Sequence, residues 1–582
     1  MKEGILFSGW ANICPHSDSY MRADAWGRVP YTTAEHTGEL LVAFTGCSPA
    51  DVVIRPELTG WHRIYVCMMI YENNMALLKL SSDDAYELVV PTRSAGWDEY
   101  TLEEGLWRCE NMTGKTLTIS RSTFTEASNT ILAWIRFVPM SDQEAAAWKA
   151  DFSHKEDKRL YANNDMHNML YSRILQSVKD WHTVVDAYRD SDVEWVSMEN
   201  MLLSTADAVP LPEGLIHVRE GDRWVTSQRG CHYTPEMLRE LVELAHNRDL
   251  KVCSSLRMNC WIAGFPYVNG PYDNQFYNNH LNLRCVDRDG TPVERMSYAF
   301  EEVQQQVIDS MVYMARLGFD AVGLLYNRGM PYLLYEQPVA DRFFAEYGEY
   351  PYELPLADPR LNRLHRQMMT EFMQKLRRAL DEATGKGKVQ IHTQVMNTLN
   401  DCHLTALDPE EWARQGLVDV IISYPRAMYE VLEGDIWRDD AHTRLDLDKF
   451  RAYVRSASGE LVLDPDLHNR ESQIIPERVA EFIELERTYG IKVYFTVMPR
   501  VMPPAEFTSF VEEMYRLGAE RFSLWDTQGR AAAVAMWSVV RRLGHKEQVL
   551  AGQIDDGSNY RHYRMLTLAN RQESRFKSLW GS

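Results

Sequence analysis

Met314-Ala-Arg-Leu-Gly-Phe-Asp-Ala-Val-Gly-Leu-Leu-Tyr326 decides the fold: a helix ends, a glycine follows, and a short apolar run leads to aromatic and polar residues. The cadence returns as Glu486-Arg-Thr-Tyr-Gly-Ile-Lys-Val-Tyr-Phe-Thr-Val497 and as Met514-Tyr-Arg-Leu-Gly-Ala-Glu-Arg-Phe-Ser-Leu-Trp-Asp526. A glycine just past a helix accepts the left-handed cap. An apolar run so soon afterwards reads as a strand buried on both faces, as in a parallel sheet. Repetition of this unit predicts a (β/α)8 barrel, whose chemistry lies at the C-terminal ends of its strands.

Working outward, nine runs compete for eight barrel places: 159–163, 193–197, 250–256, 319–325, 389–393, 418–423, 460–463, 491–497 and 521–525. The run at 460–463 is short and is followed by Asp464-Pro-Asp466, so it reads as an excursion. Residues 1–140 carry short alternating runs separated by turn-formers, the pattern of an accessory β-sandwich. The reading is therefore multidomain, α and β: a sandwich at 1–140, a helix-prone linker at 141–158, a (β/α)8 TIM barrel at 159–545, and an extension at 546–582 packed on the barrel.

Bulk properties narrow the function. The net charge of −21 disfavours nucleic acid and anionic membrane as partners. The nine cysteines are scattered with no Cys-x-x-Cys pair, which favours reduced thiols over a disulfide frame or zinc site. The N-terminal stretch lacks the apolar centre of a secretory signal, so a cytoplasmic location is the expectation. No phosphate-binding loop, dinucleotide fingerprint, nucleophile elbow or His-Glu-x-x-His motif occurs, and no cofactor or metal is called for. A homo-oligomer is compatible with this reading.

The expected strand ends gather carboxylates, amides, arginines and aromatics: Asp165, Glu199, Arg257, Asn259, Trp261, Tyr326, Asn327, Arg328, His392, Tyr424, Arg500, Trp525 and Asp526. Such an inventory suits a polyhydroxylated ligand, whose hydroxyls need bidentate polar partners and whose ring faces stack on aromatics. Glycoside hydrolysis needs two carboxyl groups flanking the bond. Glu336, in the aromatic loop after the fourth strand, is the expected general acid, with Asp526 or Glu199 as nucleophile or base. The alternative is a non-catalytic carbohydrate-binding protein on a degenerate barrel.

Five further stretches bear on family: Arg159-Leu-Tyr-Ala-Asn-Asn-Asp165, Ser255-Leu-Arg-Met-Asn259, Ser297-Tyr-Ala-Phe-Glu-Glu-Val303, Phe319 to Arg328, and Tyr335-Glu-Gln-Pro338 with Phe343-Phe-Ala-Glu-Tyr-Gly348. They resemble bacterial glycoside-hydrolase-like barrels of the family 10-like type that carry an N-terminal β-sandwich. The resemblance spans roughly 160–530 and implies hydrolysis of an oligosaccharide or glycoside. Such barrels often end the fourth strand with an acidic residue. Here Leu325 stands in that place, which shifts the burden to Glu336.

Overall fold

Gly318, Gly490 and Gly518, the glycines of the repeated cadence, all have positive φ (+102°, +70° and +101°) in the computed structural model. Each lets the chain turn directly from a helix into a strand, a conformation that side-chain-bearing residues adopt at a cost. The structure describes residues 4–14, 17–18, 23–71, 73–92, 100–121, 128–164, 182, 184–201, 216–220, 223–227, 235–259, 275–327, 330–355, 358–425, 453–455, 461–463, 474–498, 502–555 and 557–568.

Eight parallel strands close into a barrel in chain order: Leu160–Asn164, Val193–Met201, Lys251–Arg257, Ala321–Leu325, Gln390–Met396, Val420–Tyr424, Lys492–Thr496 and Phe522–Leu524. Leu461–Leu463 pairs with Tyr453–Arg455 in a separate hairpin, so the ninth run is an excursion. Outward-facing strand residues such as Val196, Val252, Val322 and Ile391 are fully buried under the helices. That double burial is why the strands read as continuous apolar runs.

The interior fills in layers, because residues i and i+2 of a strand share a face. Low in the barrel, Tyr161, Trp195, Cys253, Ala321, Val420, Ile422 and Tyr494 form one apolar cluster. His392 sits among these rings, 4.4 Å from Trp195. Near the mouth Leu325, Tyr424, Met498 and Trp525 form another cluster.

The N-terminal region holds two sheets, antiparallel except where the short Ser17–Asp18 pairs parallel with Trp26 and Gly27. The larger closes on itself, because Thr130–Pro139 pairs with both Thr37–Ala43 and Trp61–Met69. A four-stranded sheet (Val52–Ile54, Leu117–Arg121, Ala76–Leu80, Glu87–Val89) covers one flank. Its Ile54, Leu78 and Leu117 share a core with Leu41, Ile64 and Leu132 of the larger sheet.

One ring strand comes from the far end of the chain. Tyr560–Leu568 pairs with Trp26–Thr33 on one edge and Thr101–Asn111 on the other. This corrects the expected extension at 546–582. Among the described residues, Val549, Leu550 and Ile554 pack on the barrel core, while the strand completes the N-terminal ring. The expected linker is also firmer than a tether. Ser141 and Glu144 form a reciprocal capping box at the start of helix Asp142–Asp151.

Ring and barrel meet backbone to backbone. A Cβ on Gly105 would lie 2.5 Å from the amide nitrogen of Ala535, so only glycine lets strand Thr101–Asn111 lie against helix Val534–Val540. Among the described residues no helix is long and apolar enough to cross a membrane.

Candidate active site at the barrel mouth

Glu199 lies near the C-terminal end of the second barrel strand, and Arg257 ends the third. Glu199 is 0% exposed, and its Oε2 accepts a 2.8 Å hydrogen bond from Arg257 Nε. Removing such a charge from water is costly, so a buried carboxylate takes a cationic partner.

Asp526 follows the eighth strand with φ +51° and ψ +48°, a left-handed conformation that is strained for an aspartate. It occupies the N-cap of helix Thr527–Ala532, yet its side chain makes no capping hydrogen bond. The backbone therefore turns sharply here without the usual helix-capping gain.

Between the aromatic floor and this rim lies a polar layer absent from the expected site. Asn163 stands two residues above Tyr161, Gln394 two above His392, and Thr496 two above Tyr494, so all face inward. Ser523 lies level with Tyr161 on one side and Thr496 on the other. All four are buried. Both side-chain atoms of Asn163 and of Gln394, and the hydroxyls of Thr496 and Ser523, have no hydrogen-bond partner among the described residues. Asn327, in the loop after the fourth strand, is in the same state. Buried polar atoms are ordinarily paired, and each unpaired one costs about 1–3 kcal/mol. Asn163, Gln394, Thr496 and Ser523 thus form a buried polar layer whose donors and acceptors are unmet among the described residues.

Glu336 is not part of this opening. It is 1% exposed and fastens a loop: Val286 N donates to it at 3.2 Å, Leu334 N at 3.1 Å, and the Ser297 hydroxyl donates as well. Burial raises its pKa, while those donors hold it down. Its oxygens face the hairpin Arg284–Val286 and Pro292–Met296, which corrects its expected role as general acid. Glu336→Gln, which keeps the shape but loses acceptor capacity, is expected to lower stability by about 1–3 kcal/mol. It should leave kcat on any cleaved substrate within about twofold. Denaturant unfolding and steady-state kinetics check the two halves.

Three more expected ligand contacts are corrected. Tyr326 faces outward, donates to Met373 Sδ at 3.2 Å and packs on Trp412. Asn259 donates to the carbonyls of Met296 and Pro331, tying two loops together. His392 lies in the barrel floor, its Nδ1 3.0 Å from the Tyr161 hydroxyl, and burial drives its pKa down to about 3. Tyr424 and Trp525 do stand at the rim, edge to face with centroids 5.2 Å apart. Asp165, Trp261, Arg328 and Arg500 lie outside the described residues.

No family model and no curated protein matches the chain. Among solved structures, the glycoside hydrolase domain of PgaB (BpsB) from Bordetella bronchiseptica is 10% identical, covers 66% of this chain and 98% of its own, and has a TM-score of 0.39. The catalytic domain of β-amylase from Paenibacillus polymyxa is 9% identical over 68% of this chain and 99% of its own, at 0.37. The α-galactosidase of Thermus thermophilus is 11% identical over 90% and 95%, at 0.33. At these values the likeness transfers no functional residue.

Proposed function

We propose that the barrel mouth binds a neutral, hydroxyl-rich sugar and cleaves its glycosidic bond, with Glu199 and Asp526 as the working carboxyl groups. The observation that carries this is the ring of buried, unpartnered Asn163, Gln394, Thr496 and Ser523 beneath the Glu199–Arg257 pair. Amides and hydroxyls match sugar hydroxyls in both senses of hydrogen bonding. Arg257, the rim cation with a described partner, is already committed to Glu199. A ligand that brings its own anion would compete with that pair, so a neutral ring fits better.

Chemistry follows from position. Glu199, paired with Arg257, acts as nucleophile or base. Asp526 acts as the acid that protonates the leaving oxygen. The second and eighth strands both border the first. Their axes therefore lie about 10 Å apart, two strand spacings. Inward-pointing side chains narrow that gap toward the roughly 6.5–9.5 Å of inverting enzymes, not the roughly 5 Å of retaining ones. The first-formed product is accordingly expected to carry the inverted anomeric configuration. Proton NMR of the nascent anomer checks this, and retention would require a closer acid pair.

The deciding experiment is turnover of a panel of nitrophenyl glycosides and plant oligosaccharides by the purified protein. Binding of an oligosaccharide with no turnover across the panel would favour the non-catalytic carbohydrate-binding alternative. The sequestration of Glu336 is the observation on that side.

A further inference from the structure

A second cleft lies at the seam between the ring and the barrel. Its walls come from strands Trp61–Met69 and Thr130–Pro139, helix Asp142–Asp151, and the segments around Arg542 and Asn559. Its volume is about 520 Å³, within the range of small-ligand pockets. Asp151, beside Arg542, contacts His545, which holds Asp192 just before the second barrel strand begins. The cleft is thus on the N-terminal side of the barrel, away from the mouth.

Three arginines line it: Arg63, Arg136 and Arg542. Arg136 gives Nε and Nη2 to Glu104, and its guanidinium lies 4.3 Å from the centre of the Tyr65 ring. Arg542 gives Nη2 to Asp151 and Gln548. Arg63 makes no hydrogen bond among the described residues, with its nearest carboxylate, Glu144, 3.9 Å away. The Ser141 amide and hydroxyl donate to the other oxygen of that carboxylate, Oε2, which anchors it at the helix start. Each guanidinium so retains an Nη1 with no hydrogen bond among the described residues. Glu144 and Asp151 also line the cleft and Glu104 backs Arg136, so its charges balance, in a chain of net charge −21. What the cleft offers an incoming carboxylate is the three remaining Nη1 donors.

The aromatic walls are rigidly held. Trp148 Nε1 donates to Asp190 at 3.0 Å, and the Arg541 guanidinium sits 4.8 Å from its ring centre. Guanidinium groups bind planar carboxylates through paired N–H donors. Aromatic side chains supply flat apolar surface for a sugar ring.

We propose that this cleft binds a carboxylated sugar of one or two rings, a uronate, with Arg63 and Arg542 on the carboxylate and Tyr65 and Trp148 beside the ring. The site is independent of the mouth and stands whether or not the mouth is catalytic. Binding there bridges ring and barrel, so the ligand stabilises the joined chain by mass action.

The test is isothermal titration of the full chain with glucuronate, glucose and succinate, each paired with a thermal melt. Glucuronate should bind and raise Tm. Glucose, lacking the carboxylate, and succinate, lacking the ring, should each bind at least about tenfold more weakly. Arg63→Ala, at a half-buried surface position, should weaken glucuronate about tenfold or more, the effect of losing one charge-assisted contact. The same variant should leave the unliganded Tm and any glycosidase activity unchanged. Glucuronate binding no tighter than glucose or succinate would overturn the assignment, as would binding insensitive to Arg63→Ala or no heat and no shift at millimolar glucuronate. Failure of the mouth proposal would appear separately, as absent turnover with this site intact.

Discussion

Glu199→Gln and Asp526→Asn are each expected to lower kcat on a cleaved glycoside by about 10²–10⁴-fold, with KM changed far less. Both substitutions keep size and most hydrogen bonding while removing the ionisable oxygen. Glu199→Gln also leaves Arg257 without its carboxylate. The Arg257 side chain retains 18% exposure, so water can reach it and the fold should survive. Circular dichroism and a melt on each variant establish that. The discriminating control is Glu336→Gln, expected to move stability and not kcat. If Glu199→Gln retains full turnover while Glu336→Gln loses it, the carboxyl roles assigned here are reversed. A double variant that loses no more than either single one would show that both groups serve one step.

Much of the barrel was legible because its strands are buried on both faces and its helix caps need glycine. Phe319-Asp-Ala-Val-Gly-Leu-Leu325 could hardly be anything else once Gly318 ended the preceding helix. The terminal strand was not legible. Tyr560-Arg-His-Tyr-Arg-Met-Leu-Thr-Leu568 alternates polar and apolar residues, as an edge or ring strand does. Nothing local says that its partners lie some 450 residues earlier, at Thr101–Asn111. Pairing over that separation depends on the assembled barrel bringing the chain end back.

The site was half legible, for a reason of register. Attention to the C-terminal end of each strand points to Glu199, Arg257, Tyr424, Trp525 and Asp526 of the proposed site. It misses Asn163, Thr496 and Ser523, which sit one inward step below the rim. A period-two count from the aromatic floor would have found Asn163 and Thr496, since Tyr161 and Tyr494 mark the inward phase of their strands. Glu336 misled because burial and an aromatic loop describe a general acid and a loop clamp equally well. The difference lies in two hydrogen bonds from residues distant in sequence, Val286 and Ser297.

Stability should fall as pH rises from neutrality toward about 10, and His545→Gln should remove much of that slope. His545 has a side chain only 4% exposed; its Nδ1 lies 2.7 Å from Asp192 and its Nε2 3.3 Å from Asp151. Burial opposes its charge, but hydrogen bonds and attraction from Asp151 and Asp192 outweigh that and raise its pKa to about 10. A histidine raised above its unfolded value of about 6.5 stabilises the fold fully below that value. The contribution drains away as pH climbs through the folded value. Asp192 slopes the same way at lower pH: burial, incompletely offset by His545 and Lys158, raises its pKa to about 6. Asp151, lowered by His545 and Arg542 against its own burial, slopes oppositely in acid. Lys158, lowered by burial, partly offsets the alkaline loss. Comparing wild type with variant isolates the histidine from these neighbours. Removing one partner of a buried pair costs about 3–5 kcal/mol, because Asp192 stays behind without its counter-charge. The gap between the two proteins should therefore be widest near pH 6–7 and close toward pH 10. Chemical denaturation at each pH measures it, and a gap that stays constant across that range would mean the imidazole is not charged in the folded chain.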